Sequence, residues 1–267
     1  MKRLLSSSPF AVLSLVAANV FAVYSAASVG IKPAGLILLY WLETWIITLY
    51  TIQKIKKAAL PLTDIEKNWM RIQFLYKYES PEHADRGEVT RESIVRVFIR
   101  QQIAVLGVYG AILFGVLVPQ VFELDGSYFA RIFATFSSAA ILPWLLSSAL
   151  GFGISHGISY YFNFLGKKEF LNTSPVRQMF ALGERLLGLH LLLMFSSIIA
   201  GYGALGPTGA IVALSFVKLI ADFASHTREH LIAQALGSGK ITPFPGYNLL
   251  FDKGGVFKFA VRSGKKN

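Results

Sequence analysis

The sequence predicts an all-α membrane protein: a six-transmembrane helical bundle with an amphipathic interfacial helix and a small C-terminal cytoplasmic β-hairpin. Composition is the first reason, since 54% of the 267 residues are hydrophobic and only 15% are charged. Soluble domains carry about 25% charged residues, so this chain lacks the polar side chains that a hydrated surface needs. An ordinary soluble enzyme, a disordered chain and a coiled coil are therefore excluded.

Six long apolar runs are the second reason. A run of about 20 residues is long enough to cross a hydrocarbon core roughly 30 Å thick. The fourth run is too long for one straight crossing, and Pro143 favours a kink within it. The predicted bundle covers residues 1–230, with spans at 9–29, 35–53, 103–122, 138–163, 186–205 and 208–226.

The distribution of Lys and Arg is the third reason, and it also gives an orientation. Of the 26 Lys and Arg residues, 23 fall in the N-terminus, loop 54–102, loop 166–185 and the tail, whereas only Lys32 and Arg131 lie on the opposite side. Basic residues concentrate on the cytoplasmic side of membranes, so we expect a multi-pass plasma-membrane protein with both termini in the cytoplasm. The net charge of +11 then fits contact with anionic lipid on that face and argues against nucleic acid as a partner.

Three short elements are expected outside the hydrocarbon. Residues 64–78 mix aromatic and aliphatic side chains with Lys and Arg, a pattern typical of an amphipathic helix on the membrane surface. Residues 90–100 are expected to extend the third span as helix. In the cytoplasmic tail, 231–267, the segments Asn248–Phe251 and Val256–Val261 flank a turn and predict a β-hairpin. The absence of cysteine excludes disulfides, thiolate zinc sites and Cys nucleophiles.

Two ionisable side chains lie deep within predicted spans. At the helical rise, Glu43 is about 16 Å from Lys54, and Lys218 is about 15 Å from Arg228. Similar depth predicts a structural ion pair between Glu43 and Lys218, because pairing is the usual way in which buried charges are tolerated. In an enzyme, Glu43 would instead be a candidate general base.

The last predicted span carries a polar stripe. Four polar residues follow one another at intervals of four and therefore share one helix face: Lys218, Asp222, His226 and His230. The last three are candidate metal ligands, because two His at i and i+4 can chelate a divalent ion. Asp222 is also a candidate catalytic residue that orients an imidazole. The alternative is a polar helix end that reaches the lipid headgroups and carries no chemistry.

Two further histidines are predicted at a similar depth. His156 lies near the inner end of the fourth span, and His190 lies about 8 Å inside the fifth. With Asp222 and His226 they predict a shared site for metal, haem or proton chemistry, although a single buried His is more often a satisfied core residue. The glycines that bound Gly153–Gly157 predict close packing of a neighbouring helix.

Three stretches resemble a family of prokaryotic integral membrane proteins that is known only as a domain of unknown function. They are YWLE at Tyr40–Glu43, SHGIS at Ser155–Ser159, and a KxxxDxxxHxxEH pattern at Lys218–His230. The resemblance extends from Leu36 to His230. It implies a membrane location and marks these polar stretches as the family's hallmark, without an activity or a cofactor.

The histidine pattern is also similar to that of zinc-dependent membrane hydrolases of the alkaline ceramidase and adiponectin-receptor type. That similarity implies His226 and His230 as the last-helix pair of ligands, and His156 or His190 as the third. Those hydrolases have seven spans and an early third His, whereas this chain has six predicted spans.

Three functions are therefore left open. The leading interpretation is a membrane metalloprotein that holds zinc, another transition metal or haem near the cytoplasmic leaflet through His156, His190 and His226. Zinc-bound water would permit hydrolysis of a lipid amide or ester. The alternatives are a proton-coupled transporter and a non-catalytic membrane subunit whose polar residues hold helices together. The substrate, enzyme status and formation of a homo-oligomer stay open.

Overall fold

The computed structural model describes residues 8–31, 33–71, 89–113, 141–182 and 206–237, and all regular structure within these ranges is helical. In chain order the described α-helices are α1 Pro9–Ser28, α2 Pro33–Lys57, α3 Asp64–Met70, α4 Arg91–Ile112, α5 Ile141–Ser159, α6 residues 175–182 and α7 Gly206–Gly237. A π-helical segment, Tyr160–Leu165, and a 3-10 turn, Glu169–Asn172, follow α5.

Within the described ranges, four helices are long and apolar enough to cross a membrane: Pro9–Ser28, Gly35–Lys57, Arg91–Ile112 and Ile141–Leu165. The predicted helical fold is thereby confirmed for these ranges, and the four helices are candidate membrane spans. Helix α7 covers the predicted last span, 208–226. The predicted fifth span, 186–205, and the tail hairpin lie outside the described residues.

The expected helical extension of the third span is present in α4. The helix begins at Arg91 because the Thr90 hydroxyl accepts a hydrogen bond from the Ser93 amide at 3.2 Å, which satisfies one of the free amides of the first turn. The apolar run starts a dozen residues later, at Ile103. Capping chemistry therefore marks the start of the helix, whereas hydropathy marks only its apolar part.

Helix α1 packs closely against α5 through a row of small side chains. Ala18, Ala22 and Ala26 are buried, and they let the two backbones approach, as small residues do in membrane bundles. The indole of Trp144 in α5 donates to the carbonyl of Ala22 at 3.3 Å. The opposite face of α1 is apolar and exposed, with Leu13 at 66%.

Helix α2 is central to the bundle and contacts α4, α5 and α7. Its buried residues include three threonines among apolar side chains, and the hydroxyls of Thr44, Thr48 and Thr51 each donate to the carbonyl four residues earlier, at 2.8–2.9 Å. These bonds satisfy the hydroxyls without partners on other helices. The Trp41 indole donates to the carbonyl of Leu106 at 3.0 Å and links α2 to α4.

The last turn of α2 carries Lys54, Lys56 and Lys57 and is called its basic end. A second core lies there, where α3, α4 and α6 meet. Met70 at the end of α3 is fully buried there against apolar residues of α2, α4 and α6. The described part of the predicted interfacial helix therefore packs Met70 into protein and not into lipid. Residues 72–78 of that prediction lie outside the described residues.

The π-helical segment ties the end of α5 to the start of α1. Asn163 is fully buried, and its Oδ1 accepts a hydrogen bond from the backbone amide of Ser8 at 2.7 Å. The segment begins four residues after His156, and single π turns within helices are frequent next to functional side chains.

Candidate functional site: a buried ionic network

Three helices bring four ionisable side chains into contact. In the bundle, Lys218 Nζ of α7 lies 2.6 Å from Glu43 Oε2 of α2 and also contacts Asp222 one turn further along α7. The other oxygen of Glu43, Oε1, lies 3.0 Å from His156 Nε2 of α5. We refer to Glu43, His156, Lys218 and Asp222 as the ionic network.

The ionic network is largely withdrawn from solvent by the protein itself. The exposed fraction is 2% for the Glu43 side chain, 8% for Lys218, 10% for His156 and 16% for Asp222. Charges in such surroundings are stable only when they are paired and hydrogen-bonded. The three contacts supply that pairing, and Glu43 is held from two sides by two different helices.

The formal charge of the network depends on one proton. With Glu43 and Asp222 ionised and Lys218 protonated, the four groups carry one net negative charge while the imidazole of His156 is neutral. The net charge becomes zero when His156 is protonated. A net buried charge is unfavourable, and protonation of His156 would balance the charges of these four groups. His156 is therefore the member of the network at which one proton decides the formal charge.

Aromatic rings cover the ammonium group of Lys218. Its Nζ lies 4.6 Å from the ring centroid of Phe152 and 5.0 Å from that of Tyr40, within the range of cation–π attraction. The Tyr40 hydroxyl donates to Ser215 Oγ at 3.2 Å, and Ser215 donates to the carbonyl of Ile211. Tyr40 therefore positions its ring against Lys218 while its hydroxyl remains satisfied.

The glycine pair in α5 positions His156 against α2. The Tyr50 hydroxyl donates to the carbonyl of Gly153 at 3.0 Å, and a Cβ atom at Gly157 would lie 2.7 Å from the Tyr50 oxygen. Only glycine at position 157 leaves room for that side chain. The close packing expected around these glycines is made by Tyr50 at Gly157, whereas nothing lies within 4 Å of a Cβ at Gly153. The ring centroid of Tyr50 is 6.5 Å from that of His156.

A small cleft lies beside His156, between α2, α5 and α6. Its volume is about 20 Å³, and its lining includes Tyr50, Thr51, Lys54, Ser159 and Gln178. Lys54 belongs to the basic end of α2, so the cleft extends from the ionic network towards that end.

The sequence-predicted site residues are only partly brought together. Glu43 and Lys218 are in contact, and Asp222 pairs with Lys218. Within the described residues no group of three His, Asp or Glu side chains is placed to hold a metal. His190 lies outside the described ranges, as do the side chains of His226 and His230 on the α7 backbone, so the metal set stays a prediction.

Several partners of the network were not predicted from the sequence. Depth along each helix did not indicate that His156 reaches Glu43, because it says nothing about how the helices are rotated. The ring of Phe152 and the hydroxyl of Ser215 gave no signal beyond an apolar span. The contact of Tyr40 with the network did have a signal in the YWLE stretch, since Tyr40 lies three residues before Glu43 and so shares its helix face.

Comparison with known proteins gives a family but no activity. Residues 1–236 match the model of a family described as a family of unknown function, DUF6498. The chain belongs to this family. The matched region includes every residue of the ionic network and starts well before Leu36, the first residue of the sequence resemblance. No curated protein and no solved structure matches the chain.

Proposed function

We propose that this chain is a six-span plasma-membrane protein that works as a proton-coupled carrier, with the ionic network as its proton-binding centre. One observation carries the proposal: the Glu43 carboxylate is shared between His156 of α5 and Lys218 of α7. A proton gained or lost there changes the attraction of α2 for both neighbouring helices. Ionisable groups that pair inside a bundle commonly mark proton relays.

The distribution of apolar surface supports α7 as a span in addition to the four long apolar helices. Val212, Phe216 and Ile220 are more than half exposed on one face of α7, whereas Lys218 is buried on another. Apolar side chains outside and polar side chains inside are typical of a helix in lipid. With the predicted span at 186–205 the total is six, and the basic loops then place both termini in the cytoplasm.

The proposed cycle follows from charge balance. While His156 is protonated, the network is neutral and Glu43 attracts both neighbours. Loss of that proton leaves one net negative charge, which favours a rearrangement of α2 relative to α5 and α7 or the binding of a cationic species. Proton movement and helix rearrangement are thereby coupled through the same carboxylate.

The test uses the purified chain in liposomes with a trapped pH indicator. With Na⁺ or K⁺ present as the exchanging cation, we expect an imposed pH gradient to dissipate faster with the native chain than in empty liposomes. Glu43→Gln should remove the effect because the shared carboxylate is lost. Glu92→Gln is the matched control, since Glu92 is an exposed carboxylate at the start of α4. Equal proton movement in native and Glu43→Gln liposomes would rule out the proposal.

A metal centre is the second candidate, supported by the continuity of α7. One unbroken helix runs through positions 222, 226 and 230, so Asp222, His226 and His230 share a face of its backbone. His156 is hydrogen-bonded to a carboxylate, as metal-binding imidazoles commonly are. Zinc, another transition metal or haem would be held by His156, His190, His226, His230 and Asp222.

Elemental analysis and an absorbance spectrum of the detergent-purified protein test the metal candidate. Near-stoichiometric metal or a haem band that disappears in His226→Ala supports it, and His83→Ala in the predicted cytoplasmic loop is the control. Protein that takes up neither metal nor haem after reconstitution excludes this candidate. Zinc would direct further assays towards hydrolysis at the lipid surface.

A further inference from the structure

The cleft beside His156 is polar on three sides. Helix α2 contributes Tyr50, Thr51 and Lys54, α5 contributes His156 and Ser159, and α6 contributes Gln178. A cavity of roughly 10–15 Å³ accommodates one water molecule, so the volume of about 20 Å³ is sufficient. A bound water also needs two to four polar partners, which this lining can supply.

Gln178 provides an acceptor that the described residues leave unused. Its side chain is buried, with the residue 6% exposed, and its amide nitrogen donates to Thr173 Oγ1 at 3.0 Å. Its Oε1 receives no hydrogen bond from any described residue. Buried polar atoms in folded proteins are almost always satisfied by protein or by ordered water.

Ser159 provides a donor on the opposite wall. Its oxygen accepts a hydrogen bond from Asn163 at 3.5 Å, which leaves the hydroxyl hydrogen available to another acceptor. A water in the cleft can therefore accept from Ser159 and donate to Gln178. Water is the occupant that suits the volume of the cleft and the polar groups in its lining.

We propose that this cleft holds ordered water and is the route by which protons reach His156 from the basic end of α2, an inference that rests on the proposed function. An excess proton on water near Lys54 passes to the cleft water, which gives one proton to the imidazole of His156 and is left as neutral water. The resulting imidazolium is neutralised by Glu43. Among the described residues, Glu43 and Tyr50 of α2 face the imidazole, Lys54 shares the cleft lining with it, and Lys218 and Asp222 act on it through Glu43.

The first test measures water in the cleft and does not depend on transport. Hydroxyl radicals generated from water by X-rays label side chains next to bound water, so Tyr50 should be labelled faster than Tyr40, which is 2% exposed and lies outside the cleft lining. Gln178→Leu fills the cleft with an apolar group and should slow the labelling of Tyr50 but not of Tyr40. Equal labelling of Tyr50 in the native and Gln178→Leu proteins would overturn the inference.

The second test measures proton movement in the same liposome assay. Gln178→Leu should slow it by roughly twofold to tenfold, the range expected for loss of one neutral hydrogen bond. Ser159→Ala, a smaller change, should slow it in the same direction, and Gln178→Glu, which keeps an acceptor, should restore it. Unchanged rates in Gln178→Leu and Ser159→Ala would contradict the route. If Tyr50 is labelled as expected but the native chain moves no protons, the water is present and the proposed function is excluded. The proton route is then excluded with it.

Discussion

At the scale of single residues, Lys218 is the side chain on which the ionic network depends. It contacts Glu43 on another helix and Asp222 on its own, and it is enclosed by the rings of Tyr40 and Phe152. Removing one partner of a buried pair leaves an uncompensated charge, which costs more than replacing both partners by uncharged groups. The interaction free energy between Glu43 and Lys218 is therefore best measured by a double-mutant cycle.

We expect Lys218→Met to lower the free energy of unfolding by about 3–5 kcal/mol, because Glu43 and Asp222 lose their shared cation. Glu43→Gln alone should also be destabilising. The double variant should be less destabilised than the sum of the two single variants by about 1–3 kcal/mol. Denaturant unfolding in detergent measures all three, and additive effects would contradict direct coupling.

The pairing of Glu43 with Lys218 could be predicted because both lie at a similar distance from the basic ends of their helices. The contact of His156 with Glu43 could not. Counting residues gives depth, whereas a contact also needs the helices to be turned towards each other. That rotation is set by packing, here by Tyr50, which packs against Gly157 and donates to the carbonyl of Gly153.

At the scale of helices, the fit of α2 against α5 depends on Gly157. We expect Gly157→Ala to be destabilising, because the new Cβ would lie 2.7 Å from the Tyr50 oxygen. In a Tyr50→Phe background that oxygen is absent, so the same substitution should be tolerated better. Gly151→Ala is the control, since nothing lies within 4 Å of a Cβ there. Thermal unfolding of the variants is the measurement, and equal losses at positions 151 and 157 would contradict this account.

Helices α3 and α6 are joined through one buried carboxylate, which sequence patterning did not reveal. Glu66 Oε2 accepts from the Thr63 amide at 2.8 Å and from the Thr63 hydroxyl at 3.1 Å, and Oε1 accepts from the Ser174 hydroxyl. Ser174 Oγ also accepts from the Arg177 amide at 3.2 Å and so caps α6. Amphipathic patterning could not indicate this, because Glu66 counts as a polar residue and polar residues are expected at the surface.

We expect Glu66→Ala to lower stability by about 2–3 kcal/mol, through loss of the capping box and of the bond from Ser174. The exchange of amide hydrogens in α6 should increase at the same time, since its N-terminal cap loses its support. Asp64→Ala is the control, because the Asp64 side chain is fully exposed and its contact with Lys67 is 3.5 Å long. Similar exchange in α6 for both variants would show that Glu66 does not link the two helices.

At the scale of the whole bundle, the described helices expose large apolar side chains while they bury the paired charges Glu43 and Lys218. Leu146 and Leu150 of α5 are 61% and 65% exposed, whereas Glu43 of α2 is 1% exposed. A soluble protein has the opposite arrangement, because water disfavours large exposed apolar patches. Composition alone predicted this inversion, since it requires only many apolar residues and few charges. The number of spans needs the complete path of the chain, so a labelling experiment must decide it.

The absence of cysteine makes that experiment direct, because each introduced cysteine is the only reactive thiol. With a maleimide that does not cross membranes, Val29→Cys at the end of α1 should be labelled on intact cells. Ala59→Cys, just after α2, and Asn267→Cys at the C-terminus should be labelled only after permeabilisation. Val29→Cys and Ala59→Cys together test whether α2 crosses the membrane and whether its basic end lies on the cytoplasmic side. The C-terminal position tests the even number of spans, because a tail labelled from outside would require an odd number and would place the seven basic residues that follow Thr227 on the wrong side.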